Sequence, residues 1–361
     1  MKIGIVGLPN AGKSTVFNAL AHARVEVKKH PFTTIEPNVG MAAIPDKRLE
    51  VLKGFFQPEK VVPAMVRFVD VAGLVEGAGR GQGLGNQFLA SLRETDALAH
   101  VVACFHSADV PHVLGGIDPA RDIEVIRQEL VLADLQVCER AREKLRKGRR
   151  ELTREEEEKV KSLETVMEIL AQGKNVKGTE AGEKIAAAQP ELNLLSSKPV
   201  IYVGNIGEED LGRETAAMAA VRKLARKEGA ETVFLCARLE EEVINLPEEE
   251  RLLYRREMGI VESGLGVLAG AAFRLLDMVT FFTKEGVEVR AWSVKRSTTA
   301  SAAAGQIHTD IERGFIKAEV ISFPELEEAG SLAAARSRGS LRFEGRDYMV
   351  EEGDVIRFHF H

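Results

Sequence analysis

The chain has 361 residues, of which 45% are hydrophobic and 29% charged, so it is long enough for two or three globular domains and can bury a large core. Its formal net charge of −6 argues against nucleic-acid binding by the surface as a whole, so any such contact must be local. Three widely spaced cysteines, a start without a leader pattern and the absence of a long apolar run predict a cytoplasmic protein with neither a disulfide framework nor a membrane span.

The first predicted strand, Ile3 to Val6, leads into the stretch GLPNAGKST. This stretch fits the phosphate-loop pattern G-x-x-x-x-G-K-[ST], with Gly7, Gly12, Lys13 and Ser14 at the required positions. Glycines let backbone N–H groups approach phosphate oxygens, and Lys13 is expected to contact the β and γ phosphates. The serine hydroxyl suits Mg²⁺, which prefers oxygen ligands. The residues expected to hold the phosphates are Asn10, Ala11, Gly12, Lys13, Ser14 and Thr15.

A second strand, Val66 to Val69, ends in a D-x-x-G sequence formed by Asp70 and Gly73. Asp70 is expected to hold Mg²⁺ through a water, and Gly73 to offer its N–H to the γ phosphate. Thr34, in HPFTTIEPN, completes the metal shell when its loop closes. Each feature alone is also typical of turns or helix caps, but their order after a phosphate loop favours a switch-type nucleotide hydrolase. The predicted metal ligands are Ser14, Thr34 and Asp70.

Further apolar strands follow in LAHVVACF, PVIYVGN and TVFLCA. Their alternation with helical segments predicts a parallel sheet with helices on both faces. Ligands bind such sheets at the carboxyl ends of the strands, where the phosphate loop, Asp70 and Asn205 all fall. The sequence therefore predicts one nucleotide site at that edge.

Between these strands lies an insertion with helical periodicity, first from Arg121 to Lys147 and again from Val160 to Leu170. The pattern predicts an antiparallel helical hairpin whose first helix is roughly 40 Å long and projects away from the nucleotide domain. Near its tip, Arg140 to Arg150 holds seven basic residues against one acid. This charge suits RNA phosphates, although lysine and arginine also commonly end helices without any ligand.

Beyond about Leu276 the pattern changes to short strands around one helix. MVTFFT, VEVRAWSV, KAEVISF, SLRFEGRDYMV and DVIRFHF are predicted strands, and TASAAAGQIHTDIERG is predicted to be helical, as in a ubiquitin-like β-grasp sheet. Trp292 is expected in its core, and no metal-ligand set surrounds His359 and His361.

These motifs together resemble the Obg-related GTPases, and within them the YchF or Obg-like ATPases. The match runs from KIGIVGLPNAGKSTVFNAL through PFTTIEPN, DVAGLVEGAGRGQGLGNQFL, IDPARDIEVIRQELVLADL and GNIGEED to VEVRAWSV and AAGQIHTDIERGFIKAEVI, nearly the whole chain. The resemblance implies an α/β fold: a P-loop NTPase parallel sheet at 1–118 and 196–277, an inserted α-helical hairpin domain at 119–195 and a C-terminal β-grasp (TGS) domain at 278–361.

The base-reading motif departs from the guanine-specific pattern. Relatives that read guanine use N-K-x-D, whereas this chain has Asn205-Ile206-Gly207-Glu208. Ile206 stands where those relatives have the lysine whose aliphatic stem covers the base. Glu208 stands where they have the aspartate, and its carboxylate is one methylene further from the backbone. Because buried hydrogen bonds to guanine would be lost, we expect ATP to be preferred over GTP, with Asn205, Ile206 and Glu208 beside the base. An exposed acidic turn is the alternative interpretation.

The catalytic residues are less well defined by the pattern. Many related GTPases have a glutamine after D-x-x-G, but Leu74 stands there and cannot orient a water. His112, in SADVPHVLGG, could swing toward the γ phosphate or could simply be a solvated loop residue. Asn10 resembles an asparagine that helps K⁺ bind beside the phosphates in some related enzymes; a loop hydrogen bond is the other interpretation. The glycine-rich run from Gly77 to Gly85 is either a switch hinge or only a loop. The predicted catalytic residues are Lys13, His112 and Asn10.

Two classes of function remain open at this point. The resemblance implies a ribosome-associated ATPase that acts as a conformational switch, with Mg²⁺ as cofactor, K⁺ as a candidate second ion and the ribosome or RNA as partner. The alternatives are a ribosome-associated GTPase and a binding module in which nucleotide turnover is incidental. The intact set of Lys13, Ser14, Thr34 and Asp70 favours hydrolysis.

Overall fold

The computed structural model describes residues 1–27, 38–70, 89–107, 112–147 and 152–361. Predicted features that lie outside the described residues are Thr34, Gly73, Leu74, the run Gly77 to Gly85, Arg149 and Arg150. Contacts divide the chain into two units, residues 1–41 with 67–264 and residues 42–66 with 265–361. Within the described ranges, no helix combines the length and apolar character needed to cross a bilayer.

The strands of the described residues form two sheets, each with six strands. In chain order they are β1 Lys2–Val6, β2 Val39–Ala43, β3 Lys60–Val62, β4 Met65–Asp70, β5 Ala97–Ala103, β6 Val200–Asn205, β7 Glu231–Leu235, β8 Met278–Glu285, β9 Glu288–Lys295, β10 Phe315–Ser322, β11 Arg342–Glu344 and β12 Asp354–Phe360. The first sheet has the order β2-β4-β1-β5-β6-β7, and the second has the order β11-β10-β12-β8-β9-β3.

The main helices connect these strands. They are α1 Lys13–Val27, α2 Arg48–Phe56, α3 Pro119–Arg146, α4 Arg154–Ala171, α5 Glu180–Ala188, α6 Ala216–Glu228, α7 Ala237–Ile244, α8 Glu248–Glu257, α9 Gly264–Leu275, α10 Ala300–Ile307, α11 Thr309–Arg313, α12 Phe323–Ala329 and α13 Leu332–Ser337.

The first sheet confirms the predicted parallel arrangement. β1 pairs in parallel with β4 and β5, and β5 and β6 continue the parallel ladder to β7. All residues of β5 are buried, as expected for a parallel strand covered on both faces. The carboxyl ends of these strands therefore share one edge, where the phosphate loop leaves β1.

The predicted helical hairpin is confirmed as α3 and α4. Asp118 caps α3 by accepting from the Arg121 N–H, and Thr153 with Glu156 forms a capping box at the start of α4. The helices pack through a core that includes Cys138 and Leu163. The additional helix α5 also contributes to this core, which the periodicity did not predict.

The second sheet surrounds α10, and Phe281 and Val320 lie in the core between them. Trp292 is partly buried against this core, and its Nε1 donates to Thr283 Oγ1 at 2.9 Å. The prediction of a strand over SLRFEGRDYMV is wrong beyond β11. There the carbonyl oxygens of Arg346 and Tyr348 accept N–H groups from the start of α10, so this backbone does not join a ladder. Helices α12 and α13 were also not predicted.

Candidate functional site

The phosphate loop depends on glycine for packing as well as for phosphate approach. Gly7 has φ +150°, and a Cβ there would lie 2.3 Å from the carbonyl oxygen of Val101 on β5. Gly12 has φ +92°, and its Cβ would lie 2.1 Å from Asn205 Nδ2. Both contacts are too short for real atoms, so any larger residue would displace the loop. The loop therefore packs closely against β5, at Val101, and against the end of β6, at Asn205.

Lys13 and Asp70 place opposite charges beside this loop. The Lys13 ammonium donates to the carbonyl of Leu8 at 2.7 Å. Burial lowers the pKa of Lys13, and the nearby Asp70 carboxylate opposes that shift. Burial likewise raises the pKa of Asp70, and Lys13 partly offsets this effect. The pair is half-buried, so charges on a ligand here would be weakly screened.

The oxygen atoms available beside Lys13 suit Mg²⁺. Ser14 is exposed in the first turn of α1, and Asp70 ends β4. A hydroxyl, a carboxylate and phosphate oxygens are the usual ligands of Mg²⁺ in P-loop NTPases. Among the residues that the structure describes, no group of three histidine, cysteine or acidic residues forms a rival metal site. The predicted ligand Thr34 lies outside them.

A cavity of about 780 Å³ extends from the phosphate loop to the predicted base-reading segment. Its walls include Asn10, Gly12, Lys13, Ser14 and Thr15 of the phosphate loop and Asn205, Ile206 and Glu208 of the predicted base-reading segment. Among the predicted loop residues, Ala11 is buried and contributes its backbone carbonyl to the packing against Asn205. This volume lies within the range of small-molecule and cofactor sites. The structure therefore brings the two predicted halves of a nucleotide site together.

Asn205 connects two loops rather than presenting a free amide. Its Nδ2 donates to the carbonyl of Ala11 at 3.1 Å, and its Oδ1 accepts the Ala237 N–H at 3.0 Å. The residue is only 5% exposed. Asn205 thus ties the phosphate loop to the start of α7, and so sets the distance between the phosphate and base ends of the cavity.

Ile206 and Glu208 differ sharply in environment. The Ile206 side chain is buried in a hydrophobic cluster with Cys104 and Val221. Glu208 is exposed at the start of a short 3₁₀ turn. Both Ile206 and Glu208 line the cavity, but of these two only Glu208 has a polar side chain. The segment consequently lacks the buried carboxylate that a guanine reader needs.

Sequence reasoning missed a second group of residues lining the cavity. Phe105, His106 and Ser107 follow β5. Cys236 follows β7, and Arg238 and Glu241 lie on α7, which comes next. All come from the carboxyl ends of parallel strands, so the topological rule used for Asn205 could have found them. Phe105 is half-buried and lines the cavity. Burial raises the pKa of the Cys236 thiol.

His112 does not line this cavity. Its Nε2 lies 2.7 Å from Asp122 Oδ2, and its Nδ1 accepts the Leu114 N–H at 3.2 Å. Asp122 is buried and also contacts the Arg121 guanidinium. Both imidazole nitrogens are therefore engaged, and His112 could reach a phosphate only after its bond to Asp122 opened.

Asn10 and the basic tip retain the exposure that their predicted roles need. Asn10 has φ +64°, a left-handed conformation that asparagine tolerates, and its side chain is exposed at the cavity.

At the end of α3, Arg140, Lys144 and Lys147 are exposed, while Arg146 pairs with Glu164 at 2.8 Å.

Comparison with known proteins gives full-length matches. Residues 278–361 match the family YchF-GTPase_C, described as a protein of unknown function (DUF933), and residues 2–147 match MMR_HSR1, described as a 50S ribosome-binding GTPase. Two proteins named "Ribosome-binding ATPase YchF" are similar throughout. The one from Haemophilus ducreyi is 44% identical over 99% of both chains, and the one from Bacillus subtilis is 41% identical over 99% of this chain and 98% of the relative. The solved Schizosaccharomyces pombe "YchF GTPase" has a TM-score of 0.85 at 33% identity, covering 99% of this chain and 97% of that one.

Proposed function

The chain belongs to the YchF family of P-loop NTPases, and on that premise we propose that it binds and hydrolyses ATP as a conformational switch that associates with the ribosome. The bacterial relatives carry "ribosome-binding ATPase" in their names, whereas the fission-yeast structure is named a GTPase. The choice between the two nucleotides therefore has to come from the base end of this chain's own cavity. A ribosomal partner also implies a cytoplasmic location.

The observation that carries the ATP assignment is the environment of Ile206 and Glu208. Guanine recognition relies on a carboxylate that accepts two hydrogen bonds in a site closed to water. Here the carboxylate of Glu208 is solvent-exposed, and the preceding Ile206 is packed into the core. Phe105 and Ile206, which also line the cavity, are apolar groups against which an adenine ring can pack, and adenine needs no such carboxylate. Strong discrimination in favour of GTP would require a buried acceptor pair at position 208, where this chain has an exposed carboxylate.

We expect ATP to bind at least as tightly as GTP. Equilibrium binding of both nucleotides, beside single-turnover hydrolysis of each with and without ribosomes, measures this directly. The double variant Ile206→Lys, Glu208→Asp restores the N-K-x-D pattern and should shift the affinity ratio toward GTP by about tenfold, because it returns the base-covering stem and shortens the acid. Glu262→Asp, the same change at an exposed residue that does not line the cavity, is the matched control and should leave the ratio unaltered.

A strong preference for GTP would contradict the proposed function. If the unmodified protein bound GTP a hundredfold more tightly than ATP, a difference of about 2.7 kcal/mol, the base-site argument would be incorrect. The runner-up, a ribosome-associated GTPase, would then replace the proposed function. Binding of both nucleotides without hydrolysis of either, with or without ribosomes, would instead favour the binding-module alternative.

Mg²⁺ would be held by Ser14 and Asp70, with Thr34 as the third predicted protein ligand. When bound, the ion supplies positive charge to the β and γ phosphate oxygens. Lys13 would exchange its bond to the Leu8 carbonyl for a phosphate oxygen, and the buried Asn205 contacts keep the loop rigid while it does so. The Gly73 N–H would donate a hydrogen bond to the same phosphate, as proposed from the sequence.

Asn10, an exposed residue of the phosphate loop, is the proposed K⁺ contact. Replacing KCl by NaCl should therefore slow ATP turnover of the wild type more than that of the Asn10→Ala variant.

The catalytic role proposed for His112 can be tested against its bond to Asp122. We expect His112→Ala to lower single-turnover ATP hydrolysis by about tenfold and to leave ATP affinity nearly unchanged, as for a group that acts only in the transition state. Asp122→Asn is the companion variant. An asparagine oxygen still accepts from His112 Nε2 but carries no charge, so the imidazole should be released more easily and the rate should not fall.

Thermal unfolding of both variants separates catalysis from structure. If His112 only holds the segment before α3 in place, His112→Ala will lower the melting temperature and leave the rate per folded molecule at the wild-type value. That pattern would return His112 to a purely structural role.

A further inference from the structure

A second cavity lies within the first unit, between strands of its sheet and the inserted helices. Its volume is about 340 Å³, less than half that of the nucleotide cavity. β1, β5 and β6 form one wall, α3 forms another, and the segment after α4 lies at its margin. None of the phosphate-loop residues lines it, so it is a separate site of the same unit.

His100 is the most unusual residue of this cavity. It lies in the middle of β5, paired in register with Val6, and is only 5% exposed. Its ring contacts the Tyr202 ring at a centroid distance of 5.6 Å, but no described residue hydrogen-bonds to either ring nitrogen. A buried imidazole normally finds such partners because leaving its donor and acceptor unpaired is unfavourable. His100 thus presents one donor and one acceptor to the cavity.

The imidazole is neutral. Burial lowers the pKa of His100 to about 3, and the positive charges of Arg127 and Lys13 act in the same direction. A neutral ring can stack on another planar group and hydrogen-bond in its own plane. With Tyr202 beside it, the strand wall therefore offers two adjacent rings.

The remaining charges of the cavity are unbalanced. Arg127 and Tyr202 both bond to Glu228, so these groups largely satisfy one another. Lys198 is a further basic residue of the cavity and donates to the backbone carbonyl of Arg93 at 3.0 Å; burial lowers the pKa of its ammonium, and nearby Asp96 opposes that shift. Lys177, on the segment after α4, is exposed at the margin and has no ion pair with any described residue. The lining thus holds three basic side chains and one carboxylate, Glu228, which is already paired, so the site favours a negatively charged guest, with Lys177 as its available charge.

We propose that this cavity binds a small planar monoanion, with an aromatic or heteroaromatic carboxylate as the chemical class. The ring would lie against His100 and Tyr202 and be enclosed by apolar side chains of the sheet and α3, including Leu98 and Ile126. The carboxylate would face Lys177 at the margin. A guest in this position contacts the strand that ends at the phosphate loop and the helix that leads to the basic tip, so it links two parts of the first unit.

The test uses the full-length protein and four named probes: benzoate and nicotinate, with benzamide and nicotinamide as their uncharged counterparts. Ligand-observed saturation-transfer NMR is recorded without nucleotide and again with saturating ATP. We expect both carboxylates to bind in both conditions and to bind at least about tenfold more tightly than the amides. Because binding is measured without nucleotide, the result does not depend on ATP hydrolysis or on ribosome association.

Two substitutions locate the site. Lys177→Glu is an exposed change and should weaken benzoate binding by at least about tenfold, whereas Lys174→Glu, on the same segment but outside the cavity, should have no effect. His100→Phe should abolish binding by filling the space beside Tyr202, with its thermal melt recorded to show that the variant is folded. The proposal is overturned if neither carboxylate binds, if carboxylates and amides bind equally, or if Lys177→Glu and Lys174→Glu behave alike.

Discussion

Replacing Lys13 by alanine is expected to reduce ATP hydrolysis by about a hundredfold to a thousandfold and to weaken ATP binding as well. The Lys13 ammonium is half-buried beside Asp70, so its charge acts on bound phosphates through a medium of low screening. Removing one well-placed electrostatic group from such a site costs about 3–4 kcal/mol of transition-state stabilisation. The loss should be larger for turnover than for affinity, because negative charge on the transferred group is redistributed in the transition state.

Single-turnover hydrolysis and equilibrium ATP binding measure the two effects separately. Lys53→Ala, at an exposed lysine in the last turn of α2, is the matched control and should leave both values at wild type. A thermal melt distinguishes loss of charge from collapse of the loop, because Lys13 also bonds to the Leu8 carbonyl. Unchanged turnover in a folded Lys13→Ala protein would refute the assignment of the phosphate loop.

Reversing the charge of the α3 tip is expected to weaken ribosome association by about a hundredfold at 0.15 M salt and to leave ATP affinity intact. The variant carries Arg140→Glu, Lys144→Glu and Lys147→Glu, three exposed residues without an ion pair among those described. Each lost phosphate contact lowers the slope of log affinity against log salt by about 0.7 to 0.9, so the slope should fall by about two to three. Cosedimentation with ribosomes at several salt concentrations gives both the affinity and the slope.

A control with the same change in net charge separates a local contact from general electrostatics. Lys223→Glu, Arg226→Glu and Lys227→Glu reverse three exposed cations on α6, a different helix of the same unit. We expect this control to bind ribosomes nearly as the wild type does. If the tip variant matches the wild type at every salt concentration, the basic tip is only a solubilising helix end.

The phosphate end of the candidate site could be predicted because its determinants are local. A strand followed by G-x-x-x-x-G-K-[ST] specifies both the loop and the start of α1 over a few residues. From the sequence, the glycines of the loop are explained only by the close approach of phosphate oxygens. The structure adds a second reason, which is packing against the rest of the unit. The approach of the Val101 carbonyl to Gly7, and of Asn205 to Gly12, depends on segments roughly one hundred and two hundred residues away.

The base end was predicted less completely for the same reason. Asn205 could be placed at the end of a strand, but its bonds to Ala11 and Ala237 arise only when three loops meet at one edge of the sheet. Phe105 and Arg238 were overlooked because neither belongs to a recognisable motif. The pairing of His112 with Asp122, ten residues on, likewise follows from the way α3 begins and not from the loop composition alone.

By itself the sequence determined the family, the parallel sheet, the helical hairpin and the phosphate loop, since each rests on residue types repeated at short, regular spacing. Only the tertiary structure decided which distant residues share a surface. It joined β3 to the second sheet through pairing with β9, and it used the backbone of Arg346 and Tyr348 to begin α10. It also placed His100, whose ring has no hydrogen-bond partner in the described part of the chain, in a second cavity. Such contacts depend on packing between elements far apart in the chain, and no local periodicity encodes their distance or direction.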